Sequence, residues 1–311
     1  MARGKKPLLE NIEIKKIAAE GKSIAYVDEK VLFVPNTVPG DIVDVQVTRK
    51  RKSFLEGFIV NVRKYSDIRT EPFCSHFGIC GGCKWQNLPY QLQTEFKQQE
   101  IIDNLQRIGK VELQNVSPII GSPKTTYYRN KLEYTFCNKR FLTREEIANG
   151  QDIDRTPAVG FHVPGLFDKV IDIEKCYLQA EPSNGVRNFI REYAIEHELS
   201  FYDIREQAGF LRTLIIRTSS TGEVMVIVTF GEENREAREG LLNAIVQKFP
   251  EITSLMYVIN EKMNDTITDQ EVICFHGNDH IFEQMEDLKF KIGPKSFYQT
   301  NSEQAYNLYA K

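Results

Sequence analysis

The sequence predicts a multi-domain protein in which a small OB-like β-barrel precedes an α+β domain. Residues 1–67 contain several short runs rich in β-branched residues, separated by Pro and Gly. After residue 120, strand-like and helix-like segments are interspersed without a regular βαβ rhythm. A chain of 311 residues is long enough for two or three separate hydrophobic cores. No internal repeat is seen.

The barrel prediction depends on three runs of strand-forming residues, at 25–35, 41–50 and 55–64. Several short strands at regular spacing are typical of a small closed barrel. A basic stretch lies between the last two runs and predicts a hairpin loop; it consists of Arg49, Lys50, Arg51 and Lys52. Such a loop is a candidate phosphate contact. The alternative is a turn that is basic only because it is exposed.

Residues 89–110 predict one amphipathic helix. Its apolar positions recur at roughly helical spacing, and we expect them to pack in a core: Leu92, Phe96, Ile101, Leu105 and Ile108. Further along the chain, strands are predicted at 128–136, 211–218, 223–230 and 254–260. Helices are predicted at 181–198 and 232–249, each opened by acidic residues. These elements predict an α+β sheet domain.

The run CSHFGICGGCK brings together three cysteines, Cys74, Cys80 and Cys83. Gly81 and Gly82 allow the loop to wrap tightly, so that three sulfurs converge on one point. This pattern favours a metal centre, with iron–sulfur ahead of zinc, because structural zinc sites usually use two close cysteine pairs. A fourth ligand must come from elsewhere.

Spacing alone does not choose the fourth ligand. Cys137, Cys176 and Cys274 each stand alone and could each close a tetrahedral site. His76 could also ligate, although we prefer to interpret it as an exposed loop histidine. Buried thiols or half of a disulfide set are weaker alternatives, since buried cysteines seldom cluster with this glycine pattern.

Charge is distributed unevenly along the chain. The net charge is −3, but residues 1–140 carry 23 Lys and Arg against 15 Asp and Glu, whereas residues 141–311 carry 17 against 28. A polyanionic partner would therefore meet the first half. No apolar run is long enough to span a bilayer and the start has no signal core, so we expect a cytoplasmic protein without a membrane partner. Nothing indicates a protein partner.

The last residues predict a helix that begins with an N-cap at Ser302 and stops about two turns later at Lys311. We therefore expect the natural polypeptide to continue. No glycine-rich strand–loop–helix segment of the dinucleotide-binding kind is present in the 311 residues.

Taken together, these motifs resemble the RNA 5-methyluridine methyltransferases, in particular the iron–sulfur branch that methylates large-subunit (23S) ribosomal RNA. The resemblance covers essentially the whole chain. It rests on CSHFGICGGCKWQ, on YYRNKLEYTF at 127–136, on VGFHVPGLFDKVIDIEKCYLQ at 159–179, and on FKIGPKSFYQTNSEQAYNLY at 290–309. The first and last of these segments are the most specific.

The resemblance implies a domain plan. Residues 1–67 would be a TRAM domain, an OB-like barrel. Residues 68–88 and 121–288 would form a central iron–sulfur and RNA-binding α+β domain. Residues 89–120 would pack with the methyltransferase domain, and 289–311 would be the start of that Rossmann-like domain, which binds S-adenosylmethionine.

The resemblance also implies roles for individual residues. A [4Fe–4S] cluster would be ligated by Cys176 together with the three cysteines of the loop. Gln299 would contact S-adenosylmethionine. Phe297 and Tyr298 would lie near the target uridine of the ribosomal RNA, although both could instead be core residues at a strand end. Arg129 and Lys131 would join the basic loop in binding RNA phosphates.

Methylation at uracil C5 requires a cysteine thiolate that adds at C6 and a general base that removes the C5 proton. In the family both come from a part of the methyltransferase domain that this sequence does not contain. Cys137 and Cys274 have the surroundings of buried structural thiols, so we expect the 311-residue chain by itself to be inactive.

Two other classes of function compete with this interpretation. A radical enzyme that uses S-adenosylmethionine would need C-x3-C-x2-C, whereas the first gap here is five residues. A non-catalytic RNA-binding module, stabilised by zinc or by a cluster, would end naturally at Lys311.

Overall fold

A computed structural model describes residues 6–150 and 156–311. The chain divides into two compact units. Unit 1 comprises Met1–Gly78 and Gly82–Gly121, and unit 2 comprises Ile79–Gly81 and Ser122–Lys311. The cysteine loop is therefore divided between the units.

Unit 1 contains one six-stranded sheet. Its strands are β1 (Leu8–Glu13), β2 (Lys16–Ile17), β3 (Lys22–Val27), β4 (Lys30–Pro35), β5 (Ile42–Lys50) and β6 (Phe54–Lys64), in the spatial order β1-β5-β6-β4-β3-β2. The two outermost strands, β1 and β2, are consecutive in the chain. Between them, Ile14 N–H donates to Asp41 O and Lys15 N–H to Ile24 O, so the curled sheet meets itself at this point. The strands predicted at 41–50 and 55–64 are confirmed, whereas the run at 25–35 forms two strands, β3 and β4, joined by a turn at Asp28 and Glu29. β1 and β2 were not predicted.

The core of this sheet follows the alternation of its strands. Buried apolar residues come from β3, β4, β5 and β6 and are Ala25, Leu32, Val34, Val43, Val45, Val47 and Leu55, with Ile14. Gly57 faces β5 so closely that a Cβ there would lie 2.4 Å from Val45 Cγ1. The tight curvature of the sheet therefore requires glycine at this position.

Asp41 is the central polar residue of unit 1. Its side chain is fully buried. It accepts hydrogen bonds from Val38 N–H (2.8 Å), Ser66 N–H (3.0 Å) and Arg69 Nε (2.8 Å) and Nη2 (2.7 Å). The carboxylate thus joins the turn before β5 to the segment after β6, and its buried charge is compensated by a guanidinium.

Helix α1 (Tyr90–Asp103) continues as a π-helical turn to Ile108. The helix predicted at 89–110 is present, but none of its residues is buried. Ile101, Leu105 and Ile108 are exposed. The expectation that the apolar stripe packs in a core is therefore wrong for these three positions in this structure.

Unit 2 is built on a seven-stranded mixed sheet. Its strands are β7 (Lys131–Cys137), β8 (Ala158–His162), β9 (Val170–Asp172), β10 (Leu211–Thr218), β11 (Val224–Phe230), β12 (Ser254–Ile259) and β13 (Ile273–Gly277), in the order β13-β12-β11-β10-β7-β8-β9. The helices are α2 (Arg144–Asn149), α3 (Ser183–Glu196) and α4 (Arg235–Lys248). No helix in the described ranges is both long and apolar enough to cross a membrane.

The two faces of this sheet are covered differently. Leu132, Tyr134 and Phe136 of β7 lie in a large core with residues from α3 and α4. On the opposite face, Ile215 of β10 joins a smaller core that includes Ile292. Adjacent residues of a strand point to opposite faces, so each strand contributes to both layers.

A hairpin and a short helix complete unit 2. The hairpin pairs β14 (Ile281–Met285) with β15 (Leu288–Ile292), and α5 runs from Ser302 to Tyr309. The domain boundary expected between 288 and 289 therefore falls inside β15. The N-cap of α5 is Asn301, whose side chain accepts from Gln304 N–H at 3.0 Å, and not Ser302 as predicted.

We predict that Asp41→Ala destabilises unit 1 by about 3 kcal/mol, because it leaves the partly buried Arg69 without its partner and two backbone N–H groups unsatisfied. Urea denaturation followed by circular dichroism measures the change. Asp67→Ala, an exposed position in the same unit, is the matched control and should stay within about 0.5 kcal/mol of the wild type. Equal effects of the two substitutions would contradict the structural role of Asp41.

Candidate functional site

The segment 293–302 is anchored against the start of β7 by Asn130. Its backbone N–H donates to Thr300 O at 2.8 Å. Its side-chain Nδ2 donates to Gln299 O and Ser302 Oγ, each at 2.8 Å. Residues about 170 positions apart are thereby held together. This role could not be predicted from the sequence, since a lone Asn before a strand is usually a turn residue.

A cleft of about 650 Å³ opens beside this anchor. Its lining includes Lys124, Tyr127, Tyr128, Arg129, Asn130, Ser220, Glu283, Glu286, Ser302 and Tyr306. Glu283 is buried and accepts from Ser302 Oγ (2.9 Å) and Ser220 Oγ (2.6 Å), which ties β14 to α5 and to the β10–β11 turn. These hydrogen bonds join three elements at a cleft that is lined by aromatic and charged side chains.

Two predicted RNA contacts, Arg129 and Lys131, lie at this end of the sheet. Arg129 lines the cleft, and its buried Nε has no hydrogen-bond partner among the described residues. Lys131 is half-buried in β7, and burial together with the charge of Arg217 lowers its pKa. Arg217, which lies opposite Lys131 on β10, was missed in the sequence because it looked like part of an ordinary strand.

Phe297, Tyr298 and Gln299 follow one another in the anchored segment but differ in exposure. Phe297 is 84% exposed and Tyr298 half-buried. Burial, with the nearby charge of Glu283, raises the pKa of Tyr298. Gln299 is exposed, with its carbonyl held by Asn130. Phe297 is thus available for stacking. Tyr298 packs on the smaller core, which is the alternative role described for it above, that of a core residue at a strand end.

The basic stretch forms the predicted hairpin turn in unit 1. Arg49 and Lys50 end β5, Arg51 and Lys52 form the turn, and all four residues are exposed. Arg49 lies 3.6 Å from Glu56 and stacks 5.9 Å from the Phe54 ring centre. Among these four residues, Lys50, Arg51 and Lys52 are the more accessible for a phosphate group.

Cys176 is buried in unit 2 and held by its backbone. Its N–H donates to Asn184 Oδ1 at 2.7 Å, and Asn184 Nδ2 donates back to its carbonyl at 3.1 Å. Asn184 Oδ1 also accepts from Arg187 Nη1 at 2.9 Å. Arg187 is fully buried; its other acceptors are the Glu174 carbonyl and Asn188 Oδ1, both uncharged, and its guanidinium lies 5.0 Å from the Tyr134 ring centre. Its Nε has no hydrogen-bond partner among the residues that the structure describes. A buried cation without a paired carboxylate suits an anionic sulfur nearby.

The other three proposed ligands are half-buried; they are Cys74, Cys80 and Cys83. Cys74 N–H donates to Gln86 Oε1 at 3.2 Å. A Cβ on Gly81 would meet Pro164 Cγ at 3.0 Å, so the loop passes this proline too closely for a larger residue. No group of three or more His, Cys, Asp or Glu with metal-binding geometry occurs within residues 6–150 and 156–311. Four thiols remain a chemically suitable donor set for iron–sulfur or zinc.

Cys137 and Cys274 are poor nucleophiles in this structure. Cys137 is buried, as expected, and burial raises the pKa of its thiol. Cys274 is exposed, so the expectation that it is buried is wrong. Partial desolvation and the charge of Asp279 nevertheless raise its pKa. Because the thiolate is the reactive form, neither environment activates sulfur.

Comparison with known proteins identifies one domain and several relatives. Residues 10–60 match the TRAM domain. The chain is 57% identical over 296 residues to a protein of Bacteroides thetaiotaomicron named uncharacterized RNA methyltransferase, covering 94% of this chain and 65% of that protein. A protein of the same name from Porphyromonas gingivalis is 54% identical over 304 residues, covering 96% and 65%. The chain thus spans less than two thirds of the length of these relatives.

A solved structure shares the fold. The crystal structure of Pyrococcus abyssi tRNA (uracil-54, C5)-methyltransferase in complex with S-adenosyl-L-homocysteine superposes with a TM-score of 0.68 at 24% identity, covering 96% of this chain and 63% of that chain. At this identity the likeness concerns the fold alone. The chain is thus homologous, over about 65% of their length, to proteins that are named RNA methyltransferases, and its residues 10–60 match the TRAM domain.

Proposed function

We propose that this chain is the RNA-binding and substrate-presenting portion of a methyltransferase that transfers a methyl group to C5 of a uridine in large-subunit (23S) ribosomal RNA. One observation carries the proposal: Asn130 holds the segment that contains exposed Phe297 at the end of β7, the strand end that also carries Arg129 and Lys131. An aromatic face next to cationic side chains suits a single-stranded or flipped nucleotide. The names of the relatives support an RNA methyltransferase, and we propose that the protein acts in the cytoplasm.

S-adenosylmethionine is the proposed cofactor, and it would supply the methyl group. The protein with the shared fold was crystallised with S-adenosyl-L-homocysteine, the demethylated form of that cofactor. Gln299 is exposed while its backbone carbonyl is fixed by Asn130, so its amide is free to hold a polar group of the cofactor without moving the segment.

The chemical step requires groups beyond those described above. Neither Cys137 nor Cys274 is activated as a nucleophile, so we propose that the 311-residue chain binds RNA but does not methylate it. The relatives are longer, and exposed apolar residues could pack against their additional part. Ile101 and Ile108 of the α1 region are 57% and 79% exposed, which supports packing of residues 89–120 with a methyltransferase domain.

We further propose that Cys74, Cys80, Cys83 and Cys176 ligate a [4Fe–4S] cluster. Support comes from the donor set and the glycine-lined loop. The buried charge of Arg187 near Cys176 adds to it, because a thiolate-ligated cluster is anionic. Such a cluster would be fully ligated and would have a structural role. Zinc is the competing metal, with the same four thiolates.

We predict that Arg129→Glu weakens binding of a uridine-containing ribosomal RNA fragment and lowers the slope of log affinity against log salt by about one or more, since a phosphate contact is replaced by repulsion. Fluorescence anisotropy at several salt concentrations measures both. Arg235→Glu is the control, because Arg235 is exposed on α4 and paired with Glu239. Unchanged affinity and slope for Arg129→Glu would remove this residue from the RNA site.

For the metal, we predict about four irons and four sulfides per chain after anaerobic purification, and loss of most of both in Cys176→Ser, because one thiolate ligand is removed. Iron, zinc and acid-labile sulfide assays with a visible spectrum measure this. Cys137→Ser, also buried but not a proposed ligand, should keep the wild-type content. One zinc per chain without sulfide would show that the site binds zinc and not a cluster. A full iron content in Cys176→Ser would show that Cys176 is not a ligand.

A further inference from the structure

One face of the unit 2 sheet is left partly open at β7. Leu132, Tyr134 and Phe136 point into the large core, so Lys131 and Glu133 point to the other side. At β10, β11 and β12 that side is covered by the smaller core. At β7 it is accessible, with side-chain exposures of 35% for Lys131 and 45% for Glu133.

Two cations lie directly opposite each other on this face. Lys131 and Arg217 are cross-strand partners in the antiparallel β7–β10 pair. Like charges in this arrangement destabilise a sheet. Both groups are also desolvated, and burial lowers the pKa of Arg217 as well as that of Lys131. A pair of this kind costs free energy in the unbound protein, and an anion would relieve it.

Arg217 is fixed in place and incompletely satisfied. It is 6% exposed, its Nη2 donates to Ser296 O at 2.7 Å, and its buried Nε has no partner in the described ranges. Ser296 directly precedes the exposed Phe297. The Arg217 guanidinium therefore supports the segment that carries Phe297. It also adds positive potential next to Lys131.

The local charge is opposite to that of the surrounding chain. One carboxylate, Glu133, lies 3.9 Å from Lys131 Nζ. Against it stand two cations, Lys131 and Arg217. Arg129 lies in the cleft, whose lining also includes Glu181, Glu223, Glu283, Glu286 and Glu303. Residues 141–311, which supply most of unit 2, carry 28 acidic and 17 basic residues. A polyanion that reaches unit 2 would be repelled by most of this half and attracted to the open face at β7.

We propose that the open face of β7 binds a phosphodiester of the RNA backbone, with Lys131 contacting the phosphate and Arg217 acting as a positioning residue that supplies charge and holds Ser296. Glu133 opposes this binding and limits its strength. The inference rests on the proposed RNA-binding function. The phosphate site adds a second RNA contact to the stacking on Phe297, so that one nucleotide can stack while the phosphate of a neighbouring nucleotide is held.

The test is fluorescence anisotropy of the full chain with a short, labelled, single-stranded RNA that contains uridine, at several salt concentrations. Lys131→Gln is expected to weaken binding and to lower the salt slope by about one. Arg217→Gln is expected to weaken binding as well, and Arg217→Lys, which keeps the charge, to restore part of the affinity. Arg235→Gln on α4 is the matched control and should bind as the wild type does.

Glu133→Gln supplies a test that misfolding cannot imitate. Removing this carboxylate is expected to tighten RNA binding several-fold at low salt, and the gain should disappear when Lys131→Gln is added. If the wild type binds RNA but Glu133→Gln shows no gain and Lys131→Gln keeps the wild-type slope, the phosphate site is wrong while the proposed function stands. If the wild type does not bind RNA, the proposed function itself fails.

Discussion

The alternation of side chains along β7 is the constraint on which the functional part of this molecule depends. Because neighbouring residues of a strand face opposite sides, Leu132 and Tyr134 can enter a dry core only if Lys131 and Glu133 face away from it. A one-residue slip would bury two charges and expose two apolar side chains. The large core therefore fixes the register, and the register determines which charges lie on the open face.

Hydrogen bonds from the same strand end then bring distant parts of the chain to this face. Asn130 binds the backbone at 299 and 300, and Arg217 binds the carbonyl of Ser296. These contacts use backbone acceptors at 296, 299 and 300, and Asn130 also donates to the side chain of Ser302. Phe297 is consequently left exposed while Tyr298 packs inward. The arrangement is a preformed platform, which lowers the ordering cost of binding a flexible nucleic acid.

Local patterns predicted most of the fold, and long-range contacts account for what they missed. The strands at 211–218 and 223–230 are strongly apolar, and they were predicted from composition alone. In contrast, β8 and β9 are short and were missed because strand pairing supplies their stability: β8 pairs with β7, and β9 pairs with β8. At the site, Arg129 and Phe297 could be proposed from their motifs. Arg217 could not, since its role comes from the strand opposite it. The cysteine loop indicated which side chains could ligate a metal, but not how their sulfur atoms are arranged in space.

We expect RNA to lie on the open face of β7 and along the segment that follows β15. Photocrosslinking with an RNA containing 4-thiouridine, followed by mass spectrometry of the crosslinked peptides, tests this most directly. We predict crosslinks in residues 127–136 and 289–302, with Phe297 among the modified positions. Crosslinks confined to α4 or to the covered side of the sheet, with none in these two segments, would contradict it.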